Sequence, residues 1–165
     1  MNEALSLVLK HRRRGALLDA NLLLIYAVGK CDKNLLPTLH HTKQYTSDFT
    51  LIEHLIAFFS VLYTTPNILT EVSNLGGKIG QKFFVTLGAM VSVLQEEYCI
   101  SNEAASNAAF GKLGLTDAGI INVAANRCLV LTADWPLYQT LRHQDVDAVN
   151  INHLRQLEWL GHLRV

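Results

Sequence analysis

Short apolar segments alternate along the chain with stretches in which apolar residues recur every three or four positions, as in a helix. This alternation restricts the fold class more than any other feature of the sequence. The clearest apolar segment covers residues 128–132, an unbroken apolar run bounded by polar residues. Such a run is typical of a strand in a parallel sheet that is covered on both faces. The alternation predicts an α/β protein, a three-layer α/β/α sandwich around a central parallel sheet. Further strands are predicted at residues 16–19, 62–65 and 148–151, and helices at 21–29, 48–62, 66–76, 79–97, 101–111, 117–126, 135–143 and 153–163.

The length of the chain is consistent with one domain. Its 165 residues can enclose a hydrophobic core without disulfides. Because no internal repeat, low-complexity tract or proline-rich linker divides the sequence, residues 1–165 are predicted to form a single domain. The only basic run covers residues 10–14. We expect residues 1–14 to form a solvated basic N-terminal arm, with a phosphate-binding clamp as the alternative.

Composition limits the partners and the compartment. The chain carries 14 basic and 14 acidic residues, so contact with nucleic acid would depend on local patches. Its hydrophobic fraction of 50% indicates an interface, and we expect a homo-oligomer. The three cysteines have no disulfide spacing, and Asp19 and Asn21 interrupt the apolar stretch that would otherwise imitate a signal peptide. No apolar segment approaches the roughly 20 residues of a membrane span. These features predict a cytoplasmic protein without membrane contact.

Four acidic residues lie inside apolar stretches, where a carboxylate without a partner is costly. They are Asp19, Glu71, Asp117 and Asp134. If such groups come within about 4 Å, each pair of charges repels by about 4 kcal/mol at an effective dielectric of 20. A shared Mg²⁺ or Mn²⁺ ion would relieve this repulsion, because these cations prefer oxygen ligands. Gathered carboxylates with such an ion are also what hydrolysis of a phosphodiester requires.

The predicted elements bring these acids toward one place. In parallel sheets the ligand site lies beyond the carboxyl ends of the strands, and Asp19 and Asp134 each stand where a predicted strand leads into a helix. Glu71 follows Ile68 by three residues, on the inward side of its helix. Asp117 precedes Ile120 by the same spacing, which also predicts an inward position. The pattern therefore favours one convergent site.

Each acid also has an ordinary structural explanation. Asp19 and Asp134 are good helix N-caps, and Asp117 could simply complement a helix dipole next to a capping Thr116. Asn21 could supply a neutral oxygen or orient a water, or it could be an ordinary polar residue in the first turn of a helix. Other kinds of site find little support. The seven histidines lack zinc-ligand spacing, and neither a P-loop nor a GxSxG motif is present.

Four short motifs, taken in order and spacing, resemble the signature of PIN-domain nucleases. They are Leu-Leu-Asp-Ala-Asn-Leu-Leu at 17–23, Thr-Glu-Val at 70–72, Leu-Thr-Asp-Ala at 115–118 and Leu-Thr-Ala-Asp at 131–134. The resemblance spans residues 16–151. It implies a parallel-sheet α/β/α fold in which Asp19, Glu71, Asp117 and Asp134 hold one or two Mg²⁺ or Mn²⁺ ions. Asn21 and Thr132, which lie within these motifs, are the candidate supporting residues.

The same resemblance implies an activity and partners. Water activated by the metal would cleave RNA, and many compact members, such as VapC-like toxins, are restrained by a small antitoxin protein. The chain departs from many members in two places, since it has Asn21 in place of Ser or Thr, and Pro136 and Leu137 where they carry a further Asp followed by Phe. The alternative function is a catalytically silent PIN-like domain that binds protein or RNA, with Trp135 and Trp159 at the interface.

Overall fold

A computed structural model of the protein describes residues 3–40 and 42–155. It contains a five-stranded sheet in the order β3-β2-β1-β4-β5, in which every neighbouring pair is parallel. Helices cover both faces, so the predicted three-layer α/β/α sandwich is confirmed. The strands are β1 (Ala16–Leu18), β2 (Leu62–Thr64), β3 (Gln95–Glu96), β4 (Leu129–Thr132) and β5 (Ala148–Asn150).

Helices connect these strands, as parallel pairing requires. The helices are α1 (Glu3–His11), α2 (Ala20–Cys31), α3 (Phe49–Phe58), α4 (Pro66–Gly76), α5 (Gln81–Val91), α6 (Ser101–Ser106), α7 (Phe110–Leu113), α8 (Leu115–Ala124) and α9 (Trp135–His143). The four candidate acids lie on or directly before α2, α4, α8 and α9, and α2 also packs against α3 and α5. Short 3-10 turns cover Lys33–Thr38, Lys43–Asp48, Gly77–Ile79 and Ile151–His153.

The core lies around the two central strands. Every residue of β1 and β4 is buried, as expected for strands with helices on both faces. Thr65 caps α4 as predicted, since its hydroxyl accepts a hydrogen bond from the amide of Ile68 at 3.2 Å. All three cysteines are free thiols. No helix within the described ranges has the length and apolar character needed to cross a bilayer.

The prediction of a solvated N-terminal arm is corrected by the structure. Residues Glu3–His11 form a helix that packs against β4 and β5. Ala4, Val8 and His11 are buried at helical spacing, so the segment has an inward face. Lys10 and His11 bind the carboxylate of Asp147 at 2.6 and 2.7 Å. The expectation overlooked this face because it considered only the charges of the basic run.

Other boundaries also differ from the expectation. The predicted helix at 79–97 is α5 followed by the short edge strand β3, whose polar Gln95 and Glu96 give no strand signal. The predicted helix at 101–111 is divided into α6 and α7. Helix α8 begins at Leu115 after Gly114, so Thr116 is not its cap. The predicted helix at 153–163 falls largely outside the described residues.

Candidate metal centre

The carboxyl ends of β1 and β4 position two of the four acids. These strands are parallel neighbours, with Leu18 opposite Leu131. Asp19 directly follows β1, and its amide donates to the carbonyl of Leu131 at 3.1 Å, which extends the ladder by one bond. Asp134 follows β4 by two residues. Both carboxylates therefore lie at the same edge of the sheet, as the sequence predicted.

Asp19 is buried, with 3% of its surface exposed. One carboxylate oxygen accepts the amide of Leu22 at 2.7 Å, so Asp19 is the N-cap of α2. The other oxygen accepts the hydroxyl of Thr132. Burial raises the pKa of Asp19 from 3.8 to about 6, these hydrogen bonds oppose the shift, and the charge of Asp134 adds to it. Capping and membership of an acidic site are therefore compatible for this residue.

Asp134 and Thr132 extend the same hydrogen-bonded chain. The carboxylate of Asp134 accepts the amide of Leu137 at 2.7 Å and caps α9. Its own amide donates to the hydroxyl oxygen of Thr132 at 2.9 Å. Thr132 thus contacts both acids, while its side chain is fully buried. Thr132 therefore orients the carboxylate of Asp19 and fixes the backbone from which the side chain of Asp134 extends.

Asp117 is the acid on which the charges of the other three act. It lies half-buried in the first turn of α8. Its pKa is raised from 3.8 to about 7, chiefly because the carboxyl is buried. The neighbouring charges of Asp19, Asp134 and Glu71 act in the same direction, in that order. The charges of the three other acids therefore reach Asp117, although the four residues come from four separate segments of the chain.

The donor set fits an oxygen-preferring divalent cation in its chemistry. None of the ion pairs formed among the described residues includes any of the four carboxylates. Among the described residues, therefore, no basic side chain pairs with them to offset their mutual repulsion. Within residues 3–40 and 42–155, however, no three Asp, Glu, His or Cys side chains are close enough together to form a ready-made metal-binding group. The charges of Asp19, Asp134 and Glu71 thus act on Asp117, but the described residues do not gather three of these carboxylates into the compact group that one shared ion would need.

A cleft beside Glu71 offers room for a ligand. Its volume is about 560 Å³. It runs between α4 and α8, and hydroxyl and amide groups dominate its polar lining. The polar residues that line it are Asn67, Thr70, Glu71, Asn74, Ser101 and Thr116. Leu75 and Leu115 add an apolar part to the lining, so the cleft suits a ligand that combines hydrogen-bonding groups with an apolar face, and it opens beside one of the candidate acids.

Three placements complete the description of this sheet edge. Asn21 lies half-buried in the first turn of α2, two residues after Asp19. Thr64 and Asn150, which sequence reasoning did not single out, are buried at the ends of β2 and β5. Within the described part of the chain, Oγ1 of Thr64 and Nδ2 of Asn150 have no hydrogen-bond partner. A polar residue that ends an apolar strand was the signal that could have identified both.

The fold and the site together define an α/β/α protein with coupled carboxylates at the carboxyl edge of a parallel sheet. Comparison with known protein families, with curated proteins and with solved structures finds no match for this chain.

Proposed function

We propose that this protein is a metal-dependent endoribonuclease of PIN type that hydrolyses RNA phosphodiester bonds. The observation that carries the proposal is the convergence of negative charge on Asp117 from the three other acids. Maintaining four coupled carboxylates in and around a buried region costs free energy. A catalytic role gives a reason for that cost, and the four sequence motifs that contain these acids are what resemble PIN nucleases.

The residues have separate roles in this proposal. Asp19, Asp117 and Asp134 would hold Mg²⁺ or Mn²⁺ directly or through water, which supplies an activated water and neutralises charge on the phosphate. The hydroxyl of Thr132 orients the carboxylate of Asp19 and holds the backbone amide of Asp134. Asn21, in the first turn of α2, would add a neutral oxygen ligand or orient a water. Glu71, at the wall of the cleft between α4 and α8, would complete the charge and help to position the attacking water.

The cleft beside Glu71 is the proposed binding site for the RNA substrate. Its hydroxyl and amide lining can hydrogen-bond the ribose 2′-hydroxyl and the base edges of unpaired RNA. The net charge of zero gives no overall attraction for a polyanion, so recognition depends on such local contacts. The hydrophobic fraction of 50% supports a homo-oligomer, and the cysteines without disulfide spacing support a cytoplasmic location. The resemblance to PIN nucleases adds a role as the toxin partner of a small antitoxin protein.

A catalytically silent PIN-like domain that binds RNA or protein is the second candidate. The observation that favours it is that, within the described ranges, no three metal-ligating side chains form a compact group. Such a domain would retain the polar cleft and the fold without turnover. The two candidates differ in what metal does to the protein and in whether RNA is cut.

The test is incubation of the wild type with a defined panel of single-stranded and structured RNAs, with Mg²⁺, Mn²⁺ or EDTA. We expect cleavage with metal, none with EDTA, and a loss of at least about 100-fold in Asp117→Asn with little loss of stability. Glu53→Gln is the matched control, because Glu53 lies on α3 in a surface ion pair with Lys30 at 3.2 Å. Equal cleavage by wild type and Asp117→Asn would overturn the proposal.

A further inference from the structure

Three aromatic rings form a cluster at the start of α9. Trp135 is the first residue of that helix, Tyr138 lies one turn further on, and His153 ends the 3-10 turn that follows β5. The ring centroids are 5.3 Å apart for Trp135 and Tyr138, 5.9 Å for Trp135 and His153, and 5.2 Å for Tyr138 and His153. Each pair is within the range of favourable aromatic contact. We call these residues the aromatic cluster.

The cluster lies at the same edge of the sheet as the candidate metal centre. Trp135 directly follows Asp134, which caps α9. His153 follows the carboxyl end of β5, and β5 pairs in parallel with β4, with Thr132 opposite Asn150. The aromatic cluster therefore extends the row of strand ends that begins with the acids. A ligand bound at the carboxylates would reach it without crossing the sheet.

Exposure distinguishes this cluster from a piece of core. Trp135 is 51% exposed, His153 is exposed and Tyr138 is half-buried. The rings of Tyr138 and His153 meet edge to face at 83°, and this contact holds them in place. A half-exposed indole that is held by two other rings loses little conformational freedom when a flat partner stacks on it.

The chemistry of the cluster favours a nucleobase over an aliphatic protein surface. Indole, phenol and imidazole each combine a flat apolar face with a polar edge, which suits the stacking and hydrogen bonding of an unpaired base. The exposed patch on α5, by contrast, contains Val85 and Val91 and offers no such edge. Stacking also does not depend on charge. That matters here because the neighbouring carboxylates repel an RNA backbone.

We propose that the Trp135, Tyr138 and His153 cluster stacks an unpaired base of a single-stranded RNA and thereby holds the neighbouring phosphodiester at the carboxylates. This inference rests on the proposed ribonuclease function, and it adds the substrate class and the residues that position it. Trp135 supplies the stacking face, while Tyr138 and His153 keep the indole in its orientation.

The first measurement uses binding without turnover. Wild type, Trp135→Ala and Trp135→Phe are titrated in EDTA with a labelled single-stranded RNA oligonucleotide, and anisotropy gives the Kd. We expect Trp135→Ala to bind about tenfold more weakly and Trp135→Phe to retain most of the affinity, because a phenyl ring still stacks. Phe84→Ala, which removes another half-exposed ring from α5, is the matched control and should bind as the wild type does.

The second measurement uses the intrinsic fluorescence of the two tryptophans. The unlabelled oligonucleotide should quench the emission of the wild type, and most of this quenching should be lost in Trp135→Phe although its affinity remains. An RNA duplex, which offers no unpaired base, should quench little. Equal quenching in the wild type and Trp135→Phe, or equal affinity in the wild type and Trp135→Ala, would overturn the inference.

Cleavage assays on the same variants separate this inference from the proposed function. Metal-dependent cleavage with an unchanged KM in Trp135→Ala would leave the nuclease in place and overturn the stacking role. If RNA quenches the wild-type fluorescence and Trp135→Ala binds RNA more weakly, but no metal supports cleavage, the stacking surface is supported and the proposed nuclease function is wrong. If Trp135→Ala instead changes the oligomeric mass while RNA affinity stays the same, the cluster is a protein interface and the inference is wrong.

Discussion

The hydroxyl of Thr132 donates a hydrogen bond to the carboxylate of Asp19 and so joins the ends of two neighbouring strands. The same oxygen accepts the amide of Asp134 at 2.9 Å. One buried side chain thus links both strand-end acids, and it does so where helices α2 and α9 begin. The sheet therefore positions the carboxylate of Asp19 directly, while the carboxylate of Asp134 is held by the amide of Leu137 in the first turn of α9.

Replacement of Thr132 by valine tests this link. Thr132→Val keeps the shape of the side chain but leaves a buried carboxylate oxygen and the amide of Asp134 without their partner. We expect a loss of about 1–3 kcal/mol in the free energy of unfolding, measured by urea denaturation at pH 7. Thr86→Val is the control, because the hydroxyl of Thr86 only donates to the carbonyl of Lys82 on the outside of α5. Equal stability of the two variants would show that the link contributes little.

The raised pKa of Asp117 predicts an unusual dependence of stability on pH. Its folded-state pKa of about 7 exceeds the ordinary 3.8, so the folded protein binds the proton more tightly than the unfolded chain does. The contribution of this group to stability is present below pH 3.8 and is lost as the pH rises to about 7. In EDTA, Asp117→Asn should therefore gain stability relative to the wild type over this interval, by about 2 to 4 kcal/mol, and keep that gain at pH 8.

Thermal unfolding of both proteins at a series of pH values checks this expectation. The difference in Tm between variant and wild type is the quantity to follow, because it cancels the titration of groups that the two proteins share. Glu53→Gln should show no such difference. A Tm difference that does not change between pH 4 and pH 8 would contradict the assignment of the raised pKa to Asp117.

Metal addition should stabilise the folded protein. An ion that binds only the native state at 100 times its Kd adds about 2.7 kcal/mol to the free energy of unfolding. We expect Mn²⁺ to raise the Tm of the wild type and of Glu53→Gln, and to leave Asp19→Asn nearly unchanged. Differential scanning fluorimetry with and without EDTA measures the effect. The same rise in Asp19→Asn would place the ion elsewhere.

Two helical glycines provide a matched pair of stability predictions. A Cβ added to Gly29 would lie 2.1 Å from the buried ring of Phe49, where α2 packs against α3, whereas one added to Gly88 on α5 would meet nothing within 4 Å. Gly29→Ala should therefore destabilise the protein by about 1–3 kcal/mol. Gly88→Ala should stabilise it by about 0.5–1 kcal/mol, because alanine favours the helix. Urea denaturation of both variants provides the measurement, and a stable Gly29→Ala would contradict the close packing.

Much of the fold followed from local patterns. The apolar run that ends at Thr132 correctly predicted a buried parallel strand, and the Thr65-Pro66 pair correctly predicted the start of α4. The edge strand β3 was missed because Gln95 and Glu96 are exposed and polar, so their pairing with β2 leaves no trace in hydrophobic periodicity. Helix α1 was missed because the prediction relied on the basic residues at its end and did not consider the helical spacing of the buried Ala4 and Val8.

Some features of the candidate site could also be predicted from the sequence, and others could not. The acids were recognisable one by one, because a carboxylate in an apolar stretch needs a physical reason. Their approach to one another was expected from the predicted strand ends and inward helix positions, but the hydrogen bonds of Thr132 and the unpartnered polar atoms of Thr64 and Asn150 were not recognisable. Each of these depends on which strand ends lie side by side, and that is a property of sheet order.

The sequence by itself determined most of the alternation of strands and helices, the caps at Asp19, Thr65 and Asp134 and the identity of the acids, because these depend on neighbours within a few residues along the chain. The tertiary structure alone decided that β1 lies between β2 and β4, which places Asp19 beside Thr132 and within electrostatic reach of Asp117. It also decided that Trp135 and His153, from consecutive strand ends, form one exposed aromatic cluster. Contacts between residues more than 100 positions apart in sequence, such as Asp19 and Thr132, arise only when the whole sheet has formed.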